Sequence, residues 1–180
     1  LKASPWVRDA VIRKELLDFM TGSIVVNITE AVPVAILSIA GVPYLIDKEG
    51  NILEQMKDET VFLPVIKDID YKKDRDAYME AVRFANVLHN KRVQSYDGTI
   101  EITGQRPEDI TLKLDETSIK IGAGDFYKKL ERLDFVRDEI KKRNMSVEYI
   151  DLRFADKIIV KPVNQESDGV ERDGREKKEK

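Results

Sequence analysis

Ile110-Thr111-Leu112-Lys113-Leu114, then Asp115-Glu116-Thr117, then Ser118-Ile119-Lys120-Ile121-Gly122 is the stretch that decides the fold. Apolar and polar residues alternate on both sides of the Asp-Glu-Thr turn, which predicts two half-buried strands joined as a hairpin. Just upstream, Thr99-Ile100-Glu101-Ile102-Thr103 has the same period of two and predicts a further strand. Just downstream, Gly122-Ala123-Gly124-Asp125 opens a helix with Asp125 as its N-cap. Phe126, Leu130, Leu133, Val136 and Ile140 form the apolar stripe of that helix. Lys141-Lys142-Arg143 places cations in its last turn, where they favour the dipole, and Asn144 can close it. Two more strands follow, over residues 147–154 and 157–161.

Toward the N-terminus, residues 71–92 predict a second helix, because Tyr78, Val82, Ala85 and Leu88 fall at helical spacing among charged residues. Val61-Phe62-Leu63-Pro64-Val65-Ile66 is a compact apolar segment whose proline predicts an edge or loop position. Residues 34–55 predict a meander. An apolar run over 34–40 turns at Gly41 and returns over 43–46, and a third strand occupies 51–55. Asp47-Lys48-Glu49-Gly50 between them has the Asp-first, Gly-last chemistry of a type I turn. Before Pro33, Ser23-Ile24-Val25-Val26-Asn27-Ile28-Thr29 is rich in β-branched residues and predicts a strand. It would pair with residues 10–12 as an antiparallel hairpin, across a long polar loop. The chain start reads as the inside of a helix, with Ser4-Pro5 suited to a first helical turn or a tight turn. The fold class is α+β: a mixed or antiparallel sheet with two helices packed on it.

Composition narrows the function. The chain has 180 residues, 42% hydrophobic and 36% charged, enough to build a core that buries roughly 70% of the unfolded surface. Its 31 basic and 34 acidic residues give a net charge of −3, which argues against a dedicated nucleic-acid binder. The absence of cysteine removes disulfides, thiolate metal sites and cysteine nucleophiles. No run approaches the ~18 apolar residues of a membrane span. No signal peptide opens the chain, and it starts at Leu1 rather than Met. The expectation is a piece of a longer protein with any anchor or export signal upstream. Residues 164–180 hold eleven charged residues and a single apolar one, Val170, which predicts a disordered, solvated tail.

Catalytic signatures are weak. His89 comes with no nucleophile and carboxylate in a motif, and reads as a helix-end histidine. Gly122-Ala123-Gly124 lacks the third glycine and the lysine of a phosphate loop. Asp47, Glu49, Asp68 and Asp70 read as turn and cap residues, without the ligand spacing of a calcium loop. No metal and no cofactor is expected. A rival reading is a small hydrolase acting through Asp47 or Asp151.

The last strand is more informative. In Lys157-Ile158-Ile159-Val160-Lys161, Ile158 and Val160 share one face, and Ile159 lies with the two lysines on the other. Pro162 stops the strand and nothing foldable follows to cover it. If this strand lies at the sheet edge, its backbone groups are a template for another chain. The alternative is that the lysines and the proline guard the edge against pairing. In the preceding strand, Ile150, Leu152 and Phe154 should face the core, with Arg153 outward beside Tyr149 and Asp151. Arg153 would then bridge to Asp151 or meet an acidic partner.

Six short motifs occur in order. Pro5-Trp6-Val7-Arg8-Asp9-Ala10-Val11 resembles the "PWV..A.V" signature of the bacterial cell-division family FtsQ, also called DivIB. Ile28-Thr29-Glu30-Ala31-Val32-Pro33-Val34-Ala35 is similar to its "V.E..PVA" junction, and Leu45-Ile46-Asp47-Lys48-Glu49-Gly50 to its "LID..G" turn. Leu63-Pro64-Val65-Ile66, Ile119-Lys120-Ile121-Gly122 and Tyr149-Ile150-Asp151-Leu152-Arg153-Phe154 resemble its "LPvi", "i.LG" and "..iDLRy" segments, with Phe154 where many members carry Tyr.

The resemblance implies a non-enzymatic divisome scaffold on the periplasmic face of the inner membrane, at the septum, anchored by one upstream helix. Residues 1–36 would be the end of a POTRA domain and residues 37–163 the β-domain. It also implies binding to FtsB (DivIC) and FtsL through strand addition at the last strand, helping to control septal peptidoglycan synthesis. Carried over, the partner-binding residues are Arg153, Phe154, Asp156, Lys157, Ile158, Ile159, Val160 and Lys161. A POTRA-type module of an outer-membrane assembly or secretion system is the alternative, although no tandem repeat of such a unit is visible.

Overall fold

The computed structural model describes residues 4–18, 21–57, 61–95, 98–115 and 117–163. The charged tail over 164–180 lies outside the described residues. Strands β1 (Val7–Asp18) and β2 (Thr21–Glu30) form an antiparallel two-stranded sheet. The polar loop expected between residues 12 and 24 is instead continuous ladder, with Arg13 opposite Val25, Lys14 opposite Ile24 and Glu15 opposite Ser23. The ribbon is solvated, so charged side chains cost nothing there and polarity does not end the strand. At Ser4-Pro5 the tight turn is the reading that holds, with the Val7 amide donating to the Ser4 carbonyl at 3.0 Å, and the helix expected at the chain start falls on residues 1–3, outside the described residues.

Next come β3 (Pro33–Ile39), β4 (Val42–Asp47), β5 (Ile52–Gln55), β6 (Val65–Ile66) and α1 (Arg75–Lys91). Then follow β7 (Ile100–Thr103), β8 (Thr111–Leu114), β9 (Thr117–Lys120), α2 (Phe126–Lys142), β10 (Val147–Asp151) and β11 (Ile159–Pro162). These nine strands make one sheet in the order β11-β10-β9-β8-β7-β6-β3-β4-β5. The architecture is α+β. The expected meander is β3-β4-β5, and its Asp47 turn closes with Gly50 N–H donating to the Asp47 carbonyl at 3.0 Å. The hairpin read from residues 110–122 is β8-β9.

Three neighbouring pairs, β3/β6, β6/β7 and β9/β10, are parallel, and the last two join strands consecutive in the chain. A parallel pair needs a crossover of a dozen or more residues, and α1 and α2 supply the two crossovers. Their apolar stripes meet the same sheet face: Tyr78, Phe84, Leu88, Phe126, Leu130 and Leu133 share one core with Leu37, Ile46, Ile66, Ile102, Leu112, Ile119 and Ile150. The other face is covered near β3–β5, where Ile36, Leu45 and Leu53 pack with Ala31, Trp6 and Met56.

Two local expectations need correction. Residues 65–66 were expected at an edge or in a loop because of Pro64, yet β6 is central, between β7 and β3. Proline lacks only a donor; the Pro64 carbonyl still accepts from Ile36 N–H at 2.9 Å, and the strand proper starts one residue later. Asp125 precedes α2 but makes no side-chain cap bond, because its backbone is left-handed (φ 51°) rather than extended. The helix entrance is held from outside instead. Glu80 of α1 accepts from Gly124 N–H at 2.7 Å, and Lys129 donates to the Ala123 carbonyl at 2.6 Å.

Candidate partner-docking edge

The β9-α2-β10 unit lays β10 parallel to β9, and β11 then folds back antiparallel to β10. Ile150 faces Val160, Asp151 faces Ile159 and Tyr149 faces Lys161, with a bulge toward Val147 and Pro162. β11 ends the sheet order and pairs with β10 alone, so among the described residues its outer flank carries no strand. The alternation sorts its side chains as expected. Ile158 and Val160 pack against the main core, while Ile159 is 38% exposed.

On the solvent side, Lys161 Nζ lies 2.7 Å from Glu148 and 5.8 Å from the centre of the Tyr149 ring. The Glu148 hydrogen bond raises the Lys161 pKa above its ordinary value. Lys157 Nζ sits 4.7 Å over the Phe154 ring, and Asp156 is exposed beside it.

β10 ends at Asp151, three residues earlier than the periodicity suggests. Asp151 was expected to face outward but is only 4% exposed. Its Oδ1 accepts from the Arg153 amide at 3.1 Å, a turn-forming bond that breaks the alternation. Its two oxygens accept from Arg153 Nη2 at 2.7 Å and Nε at 3.0 Å. These bonds hold the Asp151 carboxyl below its ordinary value, against the opposing effect of burial. Phe154 consequently leaves the core and is 39% exposed. The Arg153 stem lies over Gly122 (φ +64°), where a Cβ would come within 3.0 Å of Arg153 Cγ. Arg153 is therefore committed to Asp151 in the unbound chain.

Sequence reasoning missed Arg132 of α2. Its Nη1 donates to the Phe154 carbonyl and its Nη2 to the Lys157 carbonyl, both at 2.8 Å. No sequence signal marks these contacts, which span 22 and 25 positions.

The other candidate groups are engaged locally. The Asp47 carboxylate accepts from the amides of Glu49 and Asn51 and from Asn51 Nδ2, so it caps its own turn. His89 lies in the last turn of α1, and its carbonyl accepts from the Arg92 amide at 3.1 Å. No cluster of three metal-ligating side chains occurs among the described residues. No helix among them is long and apolar enough to cross a membrane.

Fold and site together define an α+β module that presents a terminal sheet edge, with the Asp47 carboxylate engaged in its turn and that of Asp151 in an ion pair. The chain belongs to the FtsQ/DivIB family of cell division proteins: residues 35–153 match the family described as cell division protein FtsQ/DivIB, C-terminal. It is 28% identical over 170 residues to the cell division protein FtsQ of Geotalea daltonii, covering 89% of this chain and 60% of that one. It is 27% identical over 172 residues to that of Geobacter sp. (strain M21), covering 91% and 61%. It is 28% identical over 156 residues to that of Myxococcus fulvus, covering 82% and 53%. The chain thus spans about three-fifths of the length of the first two of these relatives.

Proposed function

We propose that this chain is the extracytoplasmic portion of a divisome scaffold that works by protein–protein contact and not by catalysis. In this reading a strand of FtsB (DivIC), with FtsL alongside, adds to the outer flank of β11 at the division septum and helps regulate septal peptidoglycan synthesis. Residues 1–36 derive from a POTRA domain and residues 37–163 form the β-domain, with a membrane helix upstream. Family membership supports the cellular role.

The observation that carries the docking mode is that, among the described residues, β11 is a short terminal strand bonded to a strand on one side only. Main-chain hydrogen bonds would supply affinity, and the exposed Ile159 between Lys157 and Lys161 would supply a side-chain contact. Arg153, Phe154 and Asp156 flank the same edge, while Ile158 and Val160 anchor it to the core.

Adjacent residues of an edge strand direct their amides alternately inward and outward. Of Val160→Pro and Lys161→Pro, one therefore removes an outward donor. The test is calorimetric titration of the FtsB extracytoplasmic segment onto each variant and onto Ile159→Glu, with circular dichroism as the folding control. Ile159→Glu and the outward-blocking proline should each weaken binding about tenfold or more in a folded chain. Wild-type affinity in all three variants would refute the docking mode.

A further inference from the structure

We propose that Arg132 of α2 is a positioning residue for this edge: it clamps the loop between β10 and β11 so that β11 is already a formed strand when the incoming backbone arrives. The proposal rests on the reading of β11 as the docking strand.

β11 has four residues, a partner on one side and a bulge near its end. Such an element sits at the low end of local stability, and left to itself it would open often. Two backbone bonds tie the ends of the excursion: Leu152 N–H to the Lys120 carbonyl and Val163 N–H to the Ser146 carbonyl, each at 2.9 Å. Between them, Arg132 reaches the loop from the helix. Its fork bridges the carbonyls of Phe154 and Lys157, fixing where the chain turns back and hence the register in which Ile159 arrives opposite Asp151. A guanidinium suits this task, because it presents several donors in one rigid plane, whereas a lysine is a single compact charge.

The carbonyls it holds are near the surface and would turn to water if released. The loss should therefore fall on the local opening of β11 and not on the domain as a whole. A binding-competent strand populated only part of the time lowers apparent affinity by that fraction.

The experiment is amide hydrogen exchange followed by NMR on the whole chain, for the wild type, Arg132→Ala, Arg132→Lys and, as a control on the same helix, Lys128→Ala. Arg132→Ala should accelerate the β11 amides that pair with β10 by about tenfold while the amides of α1 and β7–β9 keep their rates. Arg132→Lys should fall between, and Lys128→Ala should match the wild type. Affinity for the FtsB segment should fall in Arg132→Ala by the measured loss of the closed fraction, about tenfold at most for a tenfold rise in opening. Unchanged β11 exchange, or acceleration of all amides together, overturns the clamp and leaves the docking reading intact. Faster β11 exchange with unchanged affinity overturns its role in docking.

Discussion

Replacing Asp151 by Asn tests the electrostatics behind the docking edge. The nearly buried carboxylate accepts bonds from Arg153 Nη2 at 2.7 Å, Nε at 3.0 Å and the Arg153 amide at 3.1 Å. Asn keeps the volume and one carbonyl oxygen but removes the charge. Hydrogen bonds to a charged group contribute about 1.5–3 kcal/mol each when shielded. Here the Arg153 side chain is 38% exposed, so water competes for it. A net loss of about 2 kcal/mol follows after that discount. In a chain of this size that lowers Tm by about 4–8 °C.

The effect has a pH signature. The Arg153 hydrogen bonds depress the folded-state pKa of Asp151, and a depressed value means stabilisation that is complete above the unfolded pKa near 4. It is lost as the pH falls through the folded value. Urea unfolding followed by circular dichroism should show the full gap between wild type and Asp151→Asn at pH 7, narrowing at pH 3. A gap of the same size at both pH values, or none at pH 7, would refute the charge-based account.

Two further changes probe the supports of the site. Gly122→Ala puts a Cβ at a left-handed position within 3.0 Å of Arg153 Cγ and 3.3 Å of the Glu108 carbonyl. It should cost about 1–2 kcal/mol in urea unfolding and disturb the Arg153 resonances; a neutral result would mean that Arg153 is not packed there. Tyr78→Phe removes the bond from the phenol to the Gly50 carbonyl at 2.8 Å and should cost about 1 kcal/mol in thermal unfolding. Burial pushes this phenol up to about 12, so it should be deprotonated later than exposed tyrosines in an ultraviolet titration of the wild type.

Local periodicity made much of this architecture legible. The alternation over residues 110–122 places Leu112 and Ile119 inward because one face of the hairpin is buried, and a one-residue slip would expose both. The same rule gave the outward Ile159. What stayed hidden was set by contacts distant in sequence or by local bonds that override alternation. The central place of β6 depends on parallel pairing with β3 and β7, neither adjacent in the chain. The inward turn of Asp151 depends on its bond to the Arg153 amide, which ends the strand and frees Phe154. The length of the β1-β2 ribbon was masked by charged residues that a solvated ladder accepts.

The flank of β11 is where the account is most directly exposed to test. In a complex of the isotope-labelled chain with the unlabelled FtsB segment, intermolecular backbone NOEs should connect a partner strand to residues 159–161, and the outward amides there should become protected. A complex that forms with its NOEs elsewhere, while those amides still exchange at solvent rates, would contradict it.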